Sequence, residues 1–334
     1  MTNNNRFNKL MLSSKKTARV IILPALGKLS DLDLNLRNWL SRSNASYTST
    51  HKHILNHLLS FFGEQEKVTN FGALRYFGET SKKPKQYIAA ADPVIIQIHG
   101  NQLSIKTVRH SVEIVKEISK DFIEIQNQIS NNITVKLSHN GLNGYLLFEK
   151  LFPTSIYSPS ELSDQAINSV APNDDLSGEY GNLINEIQMI IHNSHNIKHG
   201  LFNSLWVWGG GKLVPRSNIN LPKLLSDDPI IRGFWAITKN EADDFKSEFD
   251  NFLKHEDGAF VAVTPEDTGI ESSSKNELES FLLTIYRYHK EVNPEQLVLI
   301  FRDGWQIEIK SPQKYFFWRK AKSLQLIKSS DHAN

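Results

Sequence analysis

The run "ARVIILPALG", which begins at Ala18, constrains the fold of this chain more than any other stretch. Val20 to Leu23 are apolar without a break, and Pro24 and Gly27 end the run. A strand that is apolar on both faces has to be covered on both, as happens in a parallel sheet held between helices. The reading is a buried first strand over Ala18 to Leu23. "SDLDLNLRNWL" follows with helical spacing, Ser30 and Asp33 standing where a capping box would place them. "STHKHILNHLLSFFG" reads as a helix capped by Ser49 or Thr50 and stopped at Gly63. Alternation of buried strand and helix is the α/β signature.

The middle and end of the chain make the expected sheet mixed. "PVIIQIHGNQLSIKT" is a hairpin turning at Gly100-Asn101, and "QLVLIFRDGWQIEIK" is another turning at Asp303-Gly304. A helix is expected over Val112 to Gln128, with two strands around "NGLNG" after it. Pro153 to Ser177, rich in Ser, Pro and Asp, reads as a long surface loop of the kind that is either functional or mobile. Further expectations are a strand over Ile230 to Ile237, a helix over Glu241 to Leu253 capped by Asn240, a strand in "AFVAV" and a helix in "KNELESFLLTIYRYH". With no repeat and no clean linker, the expected fold is one three-layer α/β domain with a mixed β-sheet. It spans residues 18–325, between a mobile basic tail (1–17) and a polar tail (326–334).

Composition excludes some chemistry. The chain has 334 residues and no cysteine, so disulfides, thiolate metal sites and cysteine nucleophiles are ruled out. A formal net charge of +2 gives no general polyanion footprint. The opening residues lack the apolar core of a signal peptide, and no run approaches a membrane span. The expectation is a soluble cytoplasmic protein with no specific nucleic-acid partner and no membrane partner.

Two stretches carry candidate chemistry. In the helix expected over Gly181 to Asn193, Leu183, Ile184, Ile187, Ile190 and Ile191 share one face. Asn185, Gln188, His192 and His195 form a polar, nearly uncharged stripe beside it, with Glu186 on the opposite flank. Surface helices usually spend such positions on Lys and Glu, so this edge is expected to face protein or a cleft. It forms either a ligand wall, in which His192 or His195 moves a proton, or a hydrogen-bond network. "NSLWVWGGGKL", from Asn203, puts Trp206 and Trp208 on one face of a strand and then Gly209, Gly210 and Gly211. The spacing fits neither the Walker nor the dinucleotide pattern, and Lys212 lacks the following hydroxyl residue. The glycines either turn their amides to an anion or leave room beside large rings. Asp92, before Pro93 and a strand, is a candidate base or a turn cap. His51, His53 and His57 read as a solvated helix face.

"ADPV" (Ala91 to Val94), "NEIQMIIHNSHN" (Asn185 to Asn196), "NSLWVWGGG" (Asn203 to Gly211) and "FWRK" (Phe317 to Lys320) together resemble bacterial proteins of the regulatory protein RpfE type. Some of these carry the label cofactor-independent phosphoglycerate mutase. The resemblance implies that the helix edge and the glycine turn act jointly, and it brings Asn196 and Asn203 into the candidate ligand-binding set with Asn185, Glu186, Gln188, Trp206, Trp208 and the glycines. It also implies a remote likeness to the alkaline-phosphatase fold. Mutases of that kind resemble alkaline phosphatases in needing two metal ions, Asp and His ligands and a Ser or Thr nucleophile. Here Pro24 stands where the first strand would end in a metal-binding aspartate, and His255 and His289 lack the matching context. The expected function is therefore a non-catalytic or regulatory domain that binds a small anionic ligand or a protein partner, with no cofactor. The alternative is a metal-dependent phosphotransferase or hydrolase using manganese or zinc, with His192, His195 and Asp92 as candidate catalytic residues.

Overall fold

The computed structural model describes residues 18–310 apart from 29–30, 48–52, 65, 100–101, 109–111, 130–131, 139–140, 163–165, 168–171, 173–174, 176, 194–201, 217–218, 241, 246–248, 250–251, 254–257 and 266–273. The mixed α/β class is what the chain adopts. Its strands are shared between two sheets, and the chain divides into two compact units, where the sequence reading takes residues 18–325 as one domain. The first unit holds residues 1–65, 218–228 and 238–334; the second holds 66–217 and 229–237.

The first unit is built on the apolar run "ARVIILPALG". β1 (Arg19–Leu23) lies between β11 (Phe260–Val263) and β12 (Gln296–Phe301), parallel to both. β9 (Lys223–Ser226) and β10 (Ala242–Asp243) extend the parallel side. β13 (Trp305–Lys310) and β2 (Asn44–Tyr47) close the other side antiparallel. On one face Ile21, Leu23, Phe260, Ala262, Leu297 and Leu299 pack against Leu36 and Leu40 of α1 (Leu34–Ser41) and Leu278, Leu282 and Ile285 of α8 (Ser274–Val292). The alternate residues Val20, Ile22, Val261 and Val298 are also fully buried, as a two-faced strand requires. Asp33 caps α1 by accepting from Asn35 N at 2.8 Å. α2 (Ile54–Phe61) is capped by the His53 ring, which accepts from Leu55 N, and so begins later than the hydroxyl caps expected at Ser49 or Thr50, which lie outside the described residues. The Asp303-Gly304 hairpin forms as expected, with Gly304 at φ 93°.

The second unit surrounds a long strand, β3 (Tyr87–His99). It pairs antiparallel with β4 (Gln102–Thr107), β6 (Gly144–Phe148) and β8 (Ser204–Gly211). β5 (Ile133–Leu137) and the short β7 (Ala166–Ile167) lie at the two ends of the strand order. One face carries α4 (Val112–Gln128) and α6 (Glu179–Asn193), whose Ile118, Phe122, Leu183, Ile187 and Ile191 meet Ala89, Ala91, Leu146 and Val207. The other face carries α3 (Phe71–Thr80), an element with no sequence signal strong enough to be expected. The strand expected over Ile230 to Ile237 is instead a helix, α7 (Pro229–Ile237). Its apolar run is continuous because it is buried, and a buried helix cannot be told from a buried strand by periodicity alone. α7 and α3 cross so closely that a Cβ on Gly78 would lie 1.9 Å from Pro229 O, and one on Gly233 would lie 2.1 Å from Leu74 O. Where a helix was expected over Glu241 to Leu253, Ala242–Asp243 form β10, while Phe249, Phe252 and Leu253 are helical.

Candidate functional site

Strand alternation decides what can meet at the tryptophan strand. Ala90 pairs with Trp208 and Asp92 with Trp206 across the β3–β8 ladder, so these four share one face, which α3 covers at Trp208 through Phe71 and at Asp92 through Arg75. Ala89, Ala91, Leu205 and Val207 point the other way, into the core beneath α6. The sheet therefore separates Asp92 from the polar edge of α6, and the candidate base does not converge with His192.

Asp92 is engaged on its own face. Its Oδ1 accepts from Arg75 Nη1 at 2.7 Å and its Oδ2 from Trp208 Nε1 at 2.6 Å. The Arg75 side chain is 5% exposed and that of Asp92 15%. Arg75 Nη2 donates to Gly144 O, and its guanidinium lies 4.9 Å from the Tyr145 ring centre. Burial works against the Arg75 charge, but Asp92, joined by Tyr145 and Glu79, outweighs it and holds the guanidinium protonated more firmly than usual. Burial likewise pushes the Tyr145 hydroxyl above its ordinary range, with Arg75 pulling against it and Glu79 adding to it. The network ties α3 to β3, β6 and β8.

The glycine run lies against this structure. A Cβ on Gly209 would sit 2.7 Å from Phe71 Cβ, one on Gly210 2.7 Å from Thr154 Oγ1, and one on Gly211 2.8 Å from Asn70 Cβ. Gly209 also holds φ 61°, and the β3–β8 register shifts between Ile88 and Ala90, opposite this run. The amide of Gly209 donates to Ser155 O at 2.7 Å and that of Gly210 to Thr154 Oγ1 at 2.9 Å. Trp206 Nε1 donates to Tyr157 O at 2.8 Å. The start of the expected Pro153–Ser177 loop is thus laid along β8, and two amides that an anion nest would use are engaged. Asn203 extends the ladder: its side chain accepts from Ile96 N and donates to Ile96 O.

On α6 the apolar stripe is buried as expected, while Asn185 and His192 are exposed and Glu186 and Gln188 half-buried. Asn185 and Glu186 line a shallow cleft of about 370 Å³ with Gln128, Asn182, Met189 and Asn193. His195 and Asn196 lie outside the described residues, as does the "FWRK" stretch.

A second polar centre, absent from the sequence reading, sits at the carboxyl ends of the parallel strands of the first unit. Asp227 follows directly on β9, Thr264 on β11, and Arg302 and Asp303 on β12. The backbone joins them to β1: Thr264 N donates to Ile22 O, Arg302 N to Leu23 O, and Gly27 N to Asp303 Oδ2 at 3.2 Å. Arg302 Nη2 donates to Thr264 O at 3.0 Å. Four further atoms here are buried without a hydrogen-bond partner: Asp227 Oδ2, Thr264 Oγ1, Arg302 Nε and Asp303 Oδ1. The signal was present in "SDDP" and "FRDG", but each reads locally as a turn. Only the strand order brings them together, at the edge where open α/β sheets hold ligands.

The metal pair implied by the mutase resemblance needs several carboxylate and imidazole ligands. Among the described residues no group of three or more His, Asp or Glu is placed to hold a metal, and β1 runs into Pro24.

No protein-family model matches the chain, and no curated protein is found similar to it. Similarity to solved structures is remote. A cofactor-independent phosphoglycerate mutase from Thermoplasma acidophilum shares 13% identity over 88% of this chain and 90% of its own, with a TM-score of 0.41. The PH0037 protein from Pyrococcus horikoshii shares 12% identity over 88% of this chain and 87% of its own, with a TM-score of 0.47. Neither structure is named as a regulatory protein of the RpfE type.

Proposed function

We propose that this protein binds a small polar metabolite at the carboxyl edge of the parallel sheet in its first unit. The observation that carries the reading is the set of four buried, unpartnered atoms on neighbouring strand ends, Asp227 Oδ2, Thr264 Oγ1, Arg302 Nε and Asp303 Oδ1. Each buried polar atom left without a partner costs roughly 1–3 kcal/mol. Four together cost an amount comparable with the ~5–15 kcal/mol stability of a whole domain. A folded protein offsets such a cost with water or with a ligand.

The donor set states the ligand class. Two carboxylates seek hydrogen-bond donors, one guanidinium N–H seeks an acceptor, and the Thr264 hydroxyl serves as either. A simple anion would meet two negative groups for one positive. A hydroxyl- or amine-bearing compound satisfies all four. The role is binding; no nucleophile paired with a base stands among these residues.

The test is thermal unfolding of the full chain against a panel of polyols, amino compounds and phosphorylated sugars. A ligand at a hundred times its Kd stabilises by ~2.7 kcal/mol, which raises Tm by roughly 5–10 °C. The shift is expected from hydroxyl- or amine-bearing compounds, and is expected to disappear in Thr264→Val and Asp303→Asn. A panel that shifts nothing, or a shift these variants leave intact, refutes the assignment.

A further inference from the structure

We infer that the second unit docks reversibly on anionic phospholipid surfaces through one rim of its sheet. The strand register makes the rim. Tyr87, the first residue of β3, pairs with Phe148, the last of β6, and Ile88 pairs with Gly211, the last of β8. The segments that enter or leave these strand ends are therefore neighbours, although they lie far apart in sequence. They are "SKKPKQ" before β3, "EKL" after β6 and "KLV" after β8. Together they carry Lys82, Lys83, Lys85, Lys150 and Lys212, all exposed, against one exposed carboxylate, Glu149. Glu79, the other acid nearby in sequence, has its Oε2 buried, away from the lysines' solvent.

Two aliphatic side chains stand out among these lysines. Leu151 is 69% exposed and Val214 56%. Lysines alone would suit any polyanion. Single-stranded nucleic acid is held by stacking on aromatic faces as well as by charge. Here the Tyr87 ring is half-buried and already carries the Lys212 ammonium 4.4 Å from its centre. Protruding aliphatic residues on the same strand ends as exposed lysines instead match an acidic bilayer surface, with apolar side chains entering the boundary layer and ammonium groups meeting lipid headgroups. No helix among the described residues is long and apolar enough to cross a membrane, so the contact is peripheral. The chain's net charge of +2 concealed the patch, because the excess is local.

The experiment is flotation of the full chain with vesicles of phosphatidylcholine alone and with vesicles that also contain phosphatidylserine. Binding is expected only to the second kind, falling as salt rises. Each lysine contributes up to roughly fivefold in partitioning, so the Lys82→Gln/Lys83→Gln/Lys85→Gln variant is expected to bind at least about tenfold more weakly. Leu151→Ser with Val214→Ser is expected to weaken binding at constant charge. All five positions are exposed, so unchanged thermal unfolding of the variants separates docking from folding. Absence of vesicle binding overturns the inference, as does equal binding to both kinds of vesicle or full binding by the lysine variant. Capture of a single-stranded oligonucleotide without vesicle binding overturns it in favour of nucleic acid.

Discussion

Replacing Asp92 with alanine separates its structural role from a catalytic one. The substitution leaves the Arg75 guanidinium, whose side chain is 5% exposed, with a buried charge that keeps the Gly144 carbonyl and the Tyr145 ring but has lost its ion-pair partner, and it strips the acceptor from Trp208 Nε1. Breaking a buried ion pair by removing one partner costs ~3–5 kcal/mol. Asp92 is 15% exposed, so screening by solvent is small and a cost of about 4 kcal/mol is expected. With a urea m-value of about 2 kcal/mol/M, the unfolding midpoint should fall by about 2 M. Tryptophan fluorescence is the assay, since Trp208 loses its bond directly. The companion variant Arg75→Met/Asp92→Leu removes both charges and should recover much of the loss, because an uncompensated charge is costlier than an apolar pair. A midpoint change below roughly 0.5 M in Asp92→Ala, or a double variant as damaging as the sum of its single changes, would refute this account.

Gly233→Ala should destabilise the second unit by ~2–3 kcal/mol, because its Cβ would meet Leu74 O at 2.1 Å and α3 and α7 would have to part; a Tm within a degree or two of the parent's would show that the crossing yields freely. Tyr145 and Tyr180 both hold their hydroxyl pKa raised by burial, above the ~10 of an unfolded tyrosine. Their contribution is whole below about pH 10 and is lost as pH rises beyond it, since the unfolded chain ionises first. Urea midpoints measured through this range should fall steeply, and less steeply in Tyr145→Phe; identical slopes would contradict the burial argument.

Much of the architecture is set by short-range chemistry and was legible for that reason. The unbroken apolar run of β1, the Asp303-Gly304 turn and the apolar stripe of α6 each declare themselves within a few residues. Trp206 and Trp208 also fall on one face as the period of two requires. The elements that failed lacked local contrast. α7 is apolar nearly all round, and α3 hides its helical signal between two glycines, Gly72 and Gly78, that exist for close packing.

The sequence alone determined that this is a cysteine-free mixed α/β chain with a doubly buried first strand, because each such property is carried by composition or by a single segment. Only the tertiary structure decided where chemistry can gather. Asp92 and His192 are both polar positions in the sequence, yet strand alternation puts the first under α3, while the second lies on the exposed edge of α6, which packs on the other face. Asp227, Thr264 and Arg302 are scattered along the chain, yet parallel strand order sets them side by side. The same holds for Lys82, Lys150 and Lys212, which are brought to one rim by the register of β3. Side-chain direction follows from local backbone geometry, whereas adjacency follows from which strands pair, and pairing is fixed by burying both faces of a sheet at once.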